Sequence, residues 1–249
     1  MGRQRFLAGI ALGVAIAAKL YPIVFAPVFV LWLLWRKEWK PAGALVLGLL
    51  VAVGICFIPF LIHSPEQLWS FVAYHSKRGL QIESGAAGLA MLLGNGTKTN
   101  FDYGAIHLEG PLASRYLPLL TYLFPLAWLG GIVRTLFRLR ETADTTALLE
   151  CSCGLLLLFM ALNKVFSPQF MIWLIPFLPL LKPHWRLFGV PLFLATTIIF
   201  PLNYGQLMAG TYPMVLLLNL RNFGVLILGI LLLWGGPKSY EERYTVEHA

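Results

Sequence analysis

Basic, amide and acidic side chains gather at a few places in an otherwise apolar chain. His75, Lys77, Arg78, Gln81 and Glu83 fall within YHSKRGLQIES, and Lys164, Ser167 and Gln169 within NKVFSPQF. Two further cations, Lys19 and Arg221, stand inside long apolar runs. Cations grouped beside a carboxylate at a membrane surface suit an anionic lipid phosphate. They hold it when bound and stabilise it further as it departs as a leaving group. A carboxylate can take the proton of an attacking hydroxyl. These are the needs of sugar transfer from a lipid-phosphate donor to a hydroxyl acceptor. On this reading Lys19, His75, Arg78, Gln81, Lys164, Ser167, Gln169 and Arg221 are the candidate lipid-phosphate or substrate-binding residues. The base is unassigned, with Glu83 the candidate within these segments. No metal site is expected: the histidines are scattered and no H-E-x-x-H occurs. Neither a Walker loop nor a G-x-S-x-G is present, and no cofactor is expected.

Each of these residues also has a plainer reading. Lys77 and Arg78 can face lipid headgroups, and His75 can be a satisfied interfacial residue. Glu83 can form a surface ion pair with Arg78. Lys164 can mark a span end, and Arg221 can make an interhelical contact with Asn219 and Asn222. Lys19 is the hardest to set aside. It is the single charge in the apolar run from Phe6 to Trp35, and a cation at that depth marks a site or a polar cavity.

The elements that must position these residues are membrane spans. Of 249 residues, 58% are hydrophobic and 12% charged, and the mean hydropathy is +0.74, far from the roughly 25% charge of a soluble domain. The expected fold is all-α, a polytopic transmembrane helix bundle of six spans plus an N-terminal hairpin. Basic residues flank the run 6–35 at both ends (Arg3 and Arg5, then Arg36, Lys37 and Lys40). A hairpin turning near Lys19 and Pro22 keeps both clusters cytoplasmic. Each leg is about 14 residues, or ~20 Å, so the hairpin is expected at half depth. Spans are expected near 41–62, 116–135, 147–163, 169–182, 187–204 and 214–235. Residues 63–115 form an external segment and 236–249 a cytoplasmic tail. Of 19 Lys and Arg, 12 then lie on the cytoplasmic side, where both termini are placed. The net charge of +8 follows this bias and forms no single face, which excludes a nucleic-acid partner.

Within the external segment, 65–78 has the spacing of an interfacial helix, and a Gly-rich, poorly periodic stretch follows from Gly85 to Gly110. Asn95-Gly96-Thr97 is a formal glycosylation sequon. Prolines are dense in the spans, as in kinked helices around a cavity, and there is no internal repeat to support an inverted-repeat transporter. Cys56 reads as core. Cys151 and Cys153 form neither a zinc spacing nor a disulfide framework; reduced structural thiols and reversible acylation are the two readings. The N-terminus mimics a signal peptide, but the apolar run continues past its candidate cleavage point.

Three segments together resemble bacterial glycosyltransferase family 87, of the GT-C superfamily. They are LAGIALGVAIAAKLYPIVFAPVFVLW with its basic flank, YHSKRGLQIES, and NKVFSPQFMIWLIPFLPL, and the resemblance runs from about residue 7 to 235. It implies a GT-C-like membrane glycosyltransferase that takes mannose from polyprenyl-phosphate mannose. Lys19, His75, Arg78, Gln81, Glu83, Ser167 and Gln169 fall on the matching motifs. The family is longer, with an acidic residue in a first external loop that nothing before Lys19 matches. The chain therefore resembles the C-terminal portion of such an enzyme, lacking the N-terminal part. The expected partners are membrane lipids, a lipid-linked sugar donor, and a separate N-terminal half or membrane subunit. Three readings stand: a lipid-phosphate-dependent hexosyltransferase or its C-terminal part, a non-catalytic subunit that binds a lipid phosphate, and a transporter of lipid-linked sugars.

Overall fold

The fold is taken from a computed structural model that describes residues 2–94, 98–142 and 144–235. The Asn95-Gly96-Thr97 sequon and the tail from 236 onward lie outside the described residues.

Helix α1 (Gly2–Ala18) ends just before Lys19, the chain turns through a 3-10 segment at Tyr21–Phe25, and α2 (Ala26–Trp35) returns. Pro22 lacks the N–H a continuing helix needs, so the turn falls there. The expected hairpin is therefore present. α3 (Trp39–His63) runs parallel to α1, with backbones almost touching. A Cβ on Gly9 would lie 2.0 Å from the Leu45 carbonyl oxygen, and one on Gly48 would lie 2.1 Å from that of Phe6. Small residues allow this approach, the usual means by which membrane helices associate. The 17 residues of α1 rise ~25 Å, more than the leg expected from sequence. Gly13 lies beside Leu49 and Ala52, so the tip stops on the order of 10 Å short of the end of α3 at His63.

α4 (Pro65–Lys77) is the amphipathic helix expected over 65–78, and it buries no residue. The next stretch, expected to lack periodicity, is ordered. It holds α5 (Gly85–Leu92) and a hairpin of β1 (Thr99–Asp102) and β2 (Ala105–Leu108). Ser84 caps α5 by accepting from the Ala87 N–H at 3.3 Å. Asp102 pairs with Ala105 across a two-residue turn in which Tyr103 and Gly104 both have positive φ, as a tight hairpin turn requires. The Tyr74 hydroxyl donates to the Tyr103 carbonyl at 2.5 Å, tying the hairpin to α4. The 80–82 segment pairs along β2: Ile82 N donates to Ile106 O at 3.0 Å and Leu108 N to Leu80 O at 2.8 Å.

α6 (Pro111–Thr142) is longer than the span expected at 116–135 and carries Pro118 and Pro125 inside it. α7 (Thr145–Leu162) is buried along most of its length and packs on α6 and on α10 (Tyr212–Trp234), forming the centre of the bundle. α8 (Pro183–Thr197), a kinked continuation at Ile198–Leu202 in which Phe200 is extended, and α9 (Tyr204–Met208) lead to α10, which ends on Gly235 in the left-handed conformation.

One expected helix is replaced. Residues 169–182 form no α-helix but 3-10 turns at Pro168–Leu174 and Leu178–Leu180. Pro176 and Pro179 cannot donate into an α ladder. At ~2.0 Å per residue, the 7 and 3 residues of these turns rise ~20 Å in all, against ~15 Å as α-helix. Aromatic contacts trace its path along the hairpin: Trp173 stacks on Tyr21 (centroids 3.8 Å apart) and Phe177 packs against Phe25 (5.7 Å). The segment thus travels the bundle inside protein, where irregular backbone is tolerated. Among the described residues five helices, rather than six, are long and apolar enough to cross a membrane: α3, α6, α7, α8 with its continuation to Leu202, and α10. Their outward faces are apolar, with Ile55, Leu126 and Phe223 all more than 60% exposed. Apolar surface on that scale belongs against hydrocarbon, and the protein is an integral membrane protein.

Two expectations about the basic end change. Arg138, counted among the flanking cations, is buried. It pairs with Glu150, which also accepts from the Trp185 indole N–H at 3.1 Å, and it donates to the Leu232 carbonyl. Cys151 and Cys153 are free thiols, both buried, which closes them to acylation in the folded chain; Cys56 is only half-buried.

Candidate functional site

The hairpin tip, α3, α4, α6, α7 and the 3-10 segment Pro168–Leu174 line an open cavity of about 990 Å³. α3 packs on α1, α2 and α4, and α6 on α2, α5, α7 and α10, so their upper halves face each other across the cavity. Phe57 and Phe60 line it from α3, and Leu120 and Phe124 from α6. The ionisable lining is basic: Lys19, His75, Arg78 and Lys164 all contribute, and among the described residues no carboxylate does. These four come from three separate stretches of sequence, and the fold brings them together.

Each cation is held by a specific contact. Lys19 leaves the end of α1 with its Nζ 5.1 Å from the Trp173 ring centroid. That indole is fixed between Tyr21 and Phe170, whose ring lies 4.0 Å away. A cation over an aromatic face is attracted by the ring quadrupole. Lys164 Nζ donates to the Ser76 carbonyl at 2.7 Å, near the C-terminus of α4, where the helix dipole favours positive charge. Gln81 N donates to the Lys164 carbonyl at 3.0 Å, joining the two motif segments. Arg78 lies 6.0 Å from the Tyr74 ring, and its Nε is buried without a hydrogen-bond partner. His75 packs against Phe71 and Tyr74. Lys77 is exposed and does not line the cavity.

The field inside is positive, and the titrating groups record it. His75 is pushed below the ordinary histidine range by burial and then by the charges of Arg78 and Lys164. Lys164 is lowered by burial and by Arg78. Both shifts express first the cost of charging a group away from water and second that of adding a cation beside others.

Glu83, Gln81 and Ser167 sit apart, around a second cavity of about 390 Å³ that Gln169 shares with the first. Glu83 does not form the expected surface pair with Arg78. It is 3% exposed, and its Oε1 accepts from the Tyr204 hydroxyl at 2.9 Å. Pairing of segment 80–82 with β2 directs it inward. Burial raises the Glu83 carboxyl above the usual range, opposed by the Tyr204 hydrogen bond and the Arg221 charge. Arg221 and Asn222 both donate to the Glu83 carbonyl, at 3.3 and 3.2 Å. Arg221 also lies 4.1 Å from the Phe166 ring centroid. The expected Asn219 partner bonds instead to the Gly88 and Val215 carbonyls. Arg221 thus lines neither cavity and sits behind Glu83.

Four side chains were not singled out from sequence. Tyr21 stands two residues after Lys19 in the first family-like segment and Trp173 in the one after Ser167, so both lay within noticed motifs. Tyr204 fell at the end of the span expected over 187–204. His107 lies in the stretch taken as irregular; its Nε2 is 2.9 Å from the Asp102 carbonyl oxygen, and burial holds its pKa low.

No curated protein and no solved structure matches the chain. A family model described as glycosyltransferase family 87 matches residues 1–168. That span covers the hairpin, the cationic cavity's Lys19, His75, Arg78 and Lys164, and the second cavity's Gln81, Glu83 and Ser167; Gln169, Trp173, Tyr204 and Arg221 lie beyond it. With two thirds of its length matched, and with helices built to cross a membrane, the chain belongs to glycosyltransferase family 87, a family of membrane glycosyltransferases.

Proposed function

We propose that the 990 Å³ cavity holds the phosphate of a polyprenyl-phosphate hexose, mannose being the sugar the family resemblance implies. The hexosyl group passes from it to a hydroxyl acceptor on the non-cytoplasmic side. One observation carries this reading: Lys19, His75, Arg78 and Lys164 converge on a cavity with no carboxylate among the described residues of its lining, between apolar walls from α3 and α6. The walls suit a polyprenyl chain and the cations a phosphate. In the transfer, the bond from the anomeric carbon to the phosphate oxygen breaks, a bond to the acceptor oxygen forms, and the acceptor hydroxyl gives up its proton. The donor is a phosphodiester with one negative charge. The departing polyprenyl phosphate carries ~1.5 to 2 near neutral pH. Cations therefore favour the departing group over the ground state, which is the condition for catalysis. Sidedness follows from Arg36, Lys37, Lys40, Arg140 and Arg186, which flank the spans at the end away from the cavity. On that basis both termini are cytoplasmic.

The test is lipid binding and hexosyl transfer by the full chain in nanodiscs. Lys19→Ala and Arg78→Ala should each weaken polyprenyl phosphate about tenfold or more, the size of a charge-assisted contact. Unchanged affinity in both variants would remove the phosphate site. The absence of a carboxylate from the cavity favours a second reading, in which this chain binds the donor and a partner chain supplies the base. Binding without transfer by the isolated chain, restored by a copurifying partner, would select it over the first.

A further inference from the structure

The smaller cavity has a different chemistry from its neighbour. Among the described residues its lining holds one carboxylate, Glu83, and the amides of Gln81 and Gln169, but no lysine or arginine. Glu83 is bonded through Oε1 to Tyr204 and feels the neighbouring Gln81 amide, but its Oε2 and Gln81 Oε1 are both buried without a geometrically formed hydrogen bond. Buried acceptors left unpaired are costly and call for an explanation. A ligand rich in hydroxyls supplies the missing donors, whereas a phosphate would meet the carboxylate, with Arg221 behind Glu83 and outside the lining. Apolar ring faces stand at the same place: Phe101 on β1, 74% exposed, and Phe200, packed edge-on against Tyr204 at 5.1 Å. Few polar groups among aromatic walls is the usual make-up of a small-molecule site, and a volume near 390 Å³ is at the lower end of the usual range. The position matters as well. Gln169 lines both cavities, and the bond from Gln81 N to Lys164 O ties their walls together.

We infer that this second cavity is a hexose subsite, in which Glu83 and Gln81 accept hydroxyl hydrogen bonds and Phe101 and Phe200 cover the apolar face of the ring. The ring is either the hexosyl group of the donor, in which case the inference rests on the phosphate reading above, or a sugar acceptor. Three bindings to the full chain in nanodiscs separate the sources: bare polyprenyl phosphate, polyprenyl-phosphate mannose or glucose, and methyl mannoside or glucoside added over saturating bare lipid. If the donor's sugar occupies the subsite, the sugar-bearing lipid binds about tenfold tighter than the bare lipid. If an acceptor does, the methyl hexoside binds and the two lipids are equal. In either case Glu83→Gln, which replaces the free acceptor by a donor, removes the sugar-dependent part and leaves bare-lipid affinity within about twofold. Phe101→Ala guards against misfolding of that variant, because Phe101 is exposed, and should reduce the same increment. Sugar binding that survives both substitutions, or bare-lipid binding with no sugar increment in any arm, overturns the subsite. Failure of bare lipid to bind, with Glu83-dependent hexoside binding retained, sinks the phosphate reading and leaves the hexose subsite standing.

Discussion

Replacing Gly9 by alanine tests whether the docked hairpin sets the site. The added Cβ would lie 2.0 Å from the Leu45 carbonyl oxygen and 2.9 Å from the Leu49 nitrogen, both backbone atoms that cannot swing away. Ordinary contact begins at 3.4 Å, so α1 and α3 must part by about 1.4 Å at that level. Overpacking of this kind costs ~1–3 kcal/mol. Lys19 follows directly on α1 and moves with it, while Arg78 and Lys164 are held by other elements. A displacement near 1 Å in a positioned group can cost ~100-fold in rate. Gly9→Ala should therefore lower the melting temperature in detergent, weaken polyprenyl-phosphate binding and depress any transfer. Gly43→Ala, on the same α3 with nothing within 4 Å of the new Cβ, is the control. It should be neutral or stabilise the helix by up to ~1 kcal/mol. A Gly9→Ala protein that melts and binds like the Gly43→Ala control would refute the close parallel docking of α1 and its role in placing Lys19.

Three further outcomes are expected. His75 is held neutral by burial, Arg78 and Lys164, so its protonation lies below the ordinary histidine range. As pH falls through that lowered value the cavity gains a cation, and polyprenyl-phosphate affinity should rise; His75→Gln should abolish the rise, and an identical profile would remove His75 from the site. Glu150→Ala should cost ~3–5 kcal/mol by leaving Arg138 buried without its carboxylate. The double variant Arg138→Met with Glu150→Leu should recover much of that in thermal unfolding, because no charge is then stranded. Single cysteines at positions 3 and 37, in a background without Cys56, Cys151 and Cys153, should label from the same side of oriented membranes, whereas labelling from opposite sides would contradict the hairpin's placement of both basic clusters at one end.

Hydropathy and the distribution of charge were enough to read an all-α membrane bundle, the hairpin around Lys19 and Pro22, the interfacial helix α4 and five of the spans. Those features follow from one-dimensional rules: apolar length must match the bilayer, basic flanks cluster on one side, and proline interrupts a helix. The docking of α1 through Gly9 and Gly13 was not read from the sequence, since close approach depends on a second helix that carries Gly48. The 3-10 path of residues 168–180 was not legible, because hydropathy weighs side chains and is blind to rise per residue. Nor was the burial of Arg138, since an arginine near a helix end reads alike whether it faces headgroups or a glutamate on the next helix. Above all, sequence placed the candidate polar residues in one group, and tertiary structure divided them. Lys19, His75, Arg78 and Lys164 share a cationic cavity, while Glu83 is turned away to Tyr204 by strand pairing formed more than twenty residues downstream. Which charges meet is decided by long-range backbone pairing and helix docking, and in a region shielded from water that choice fixes what each cavity can hold.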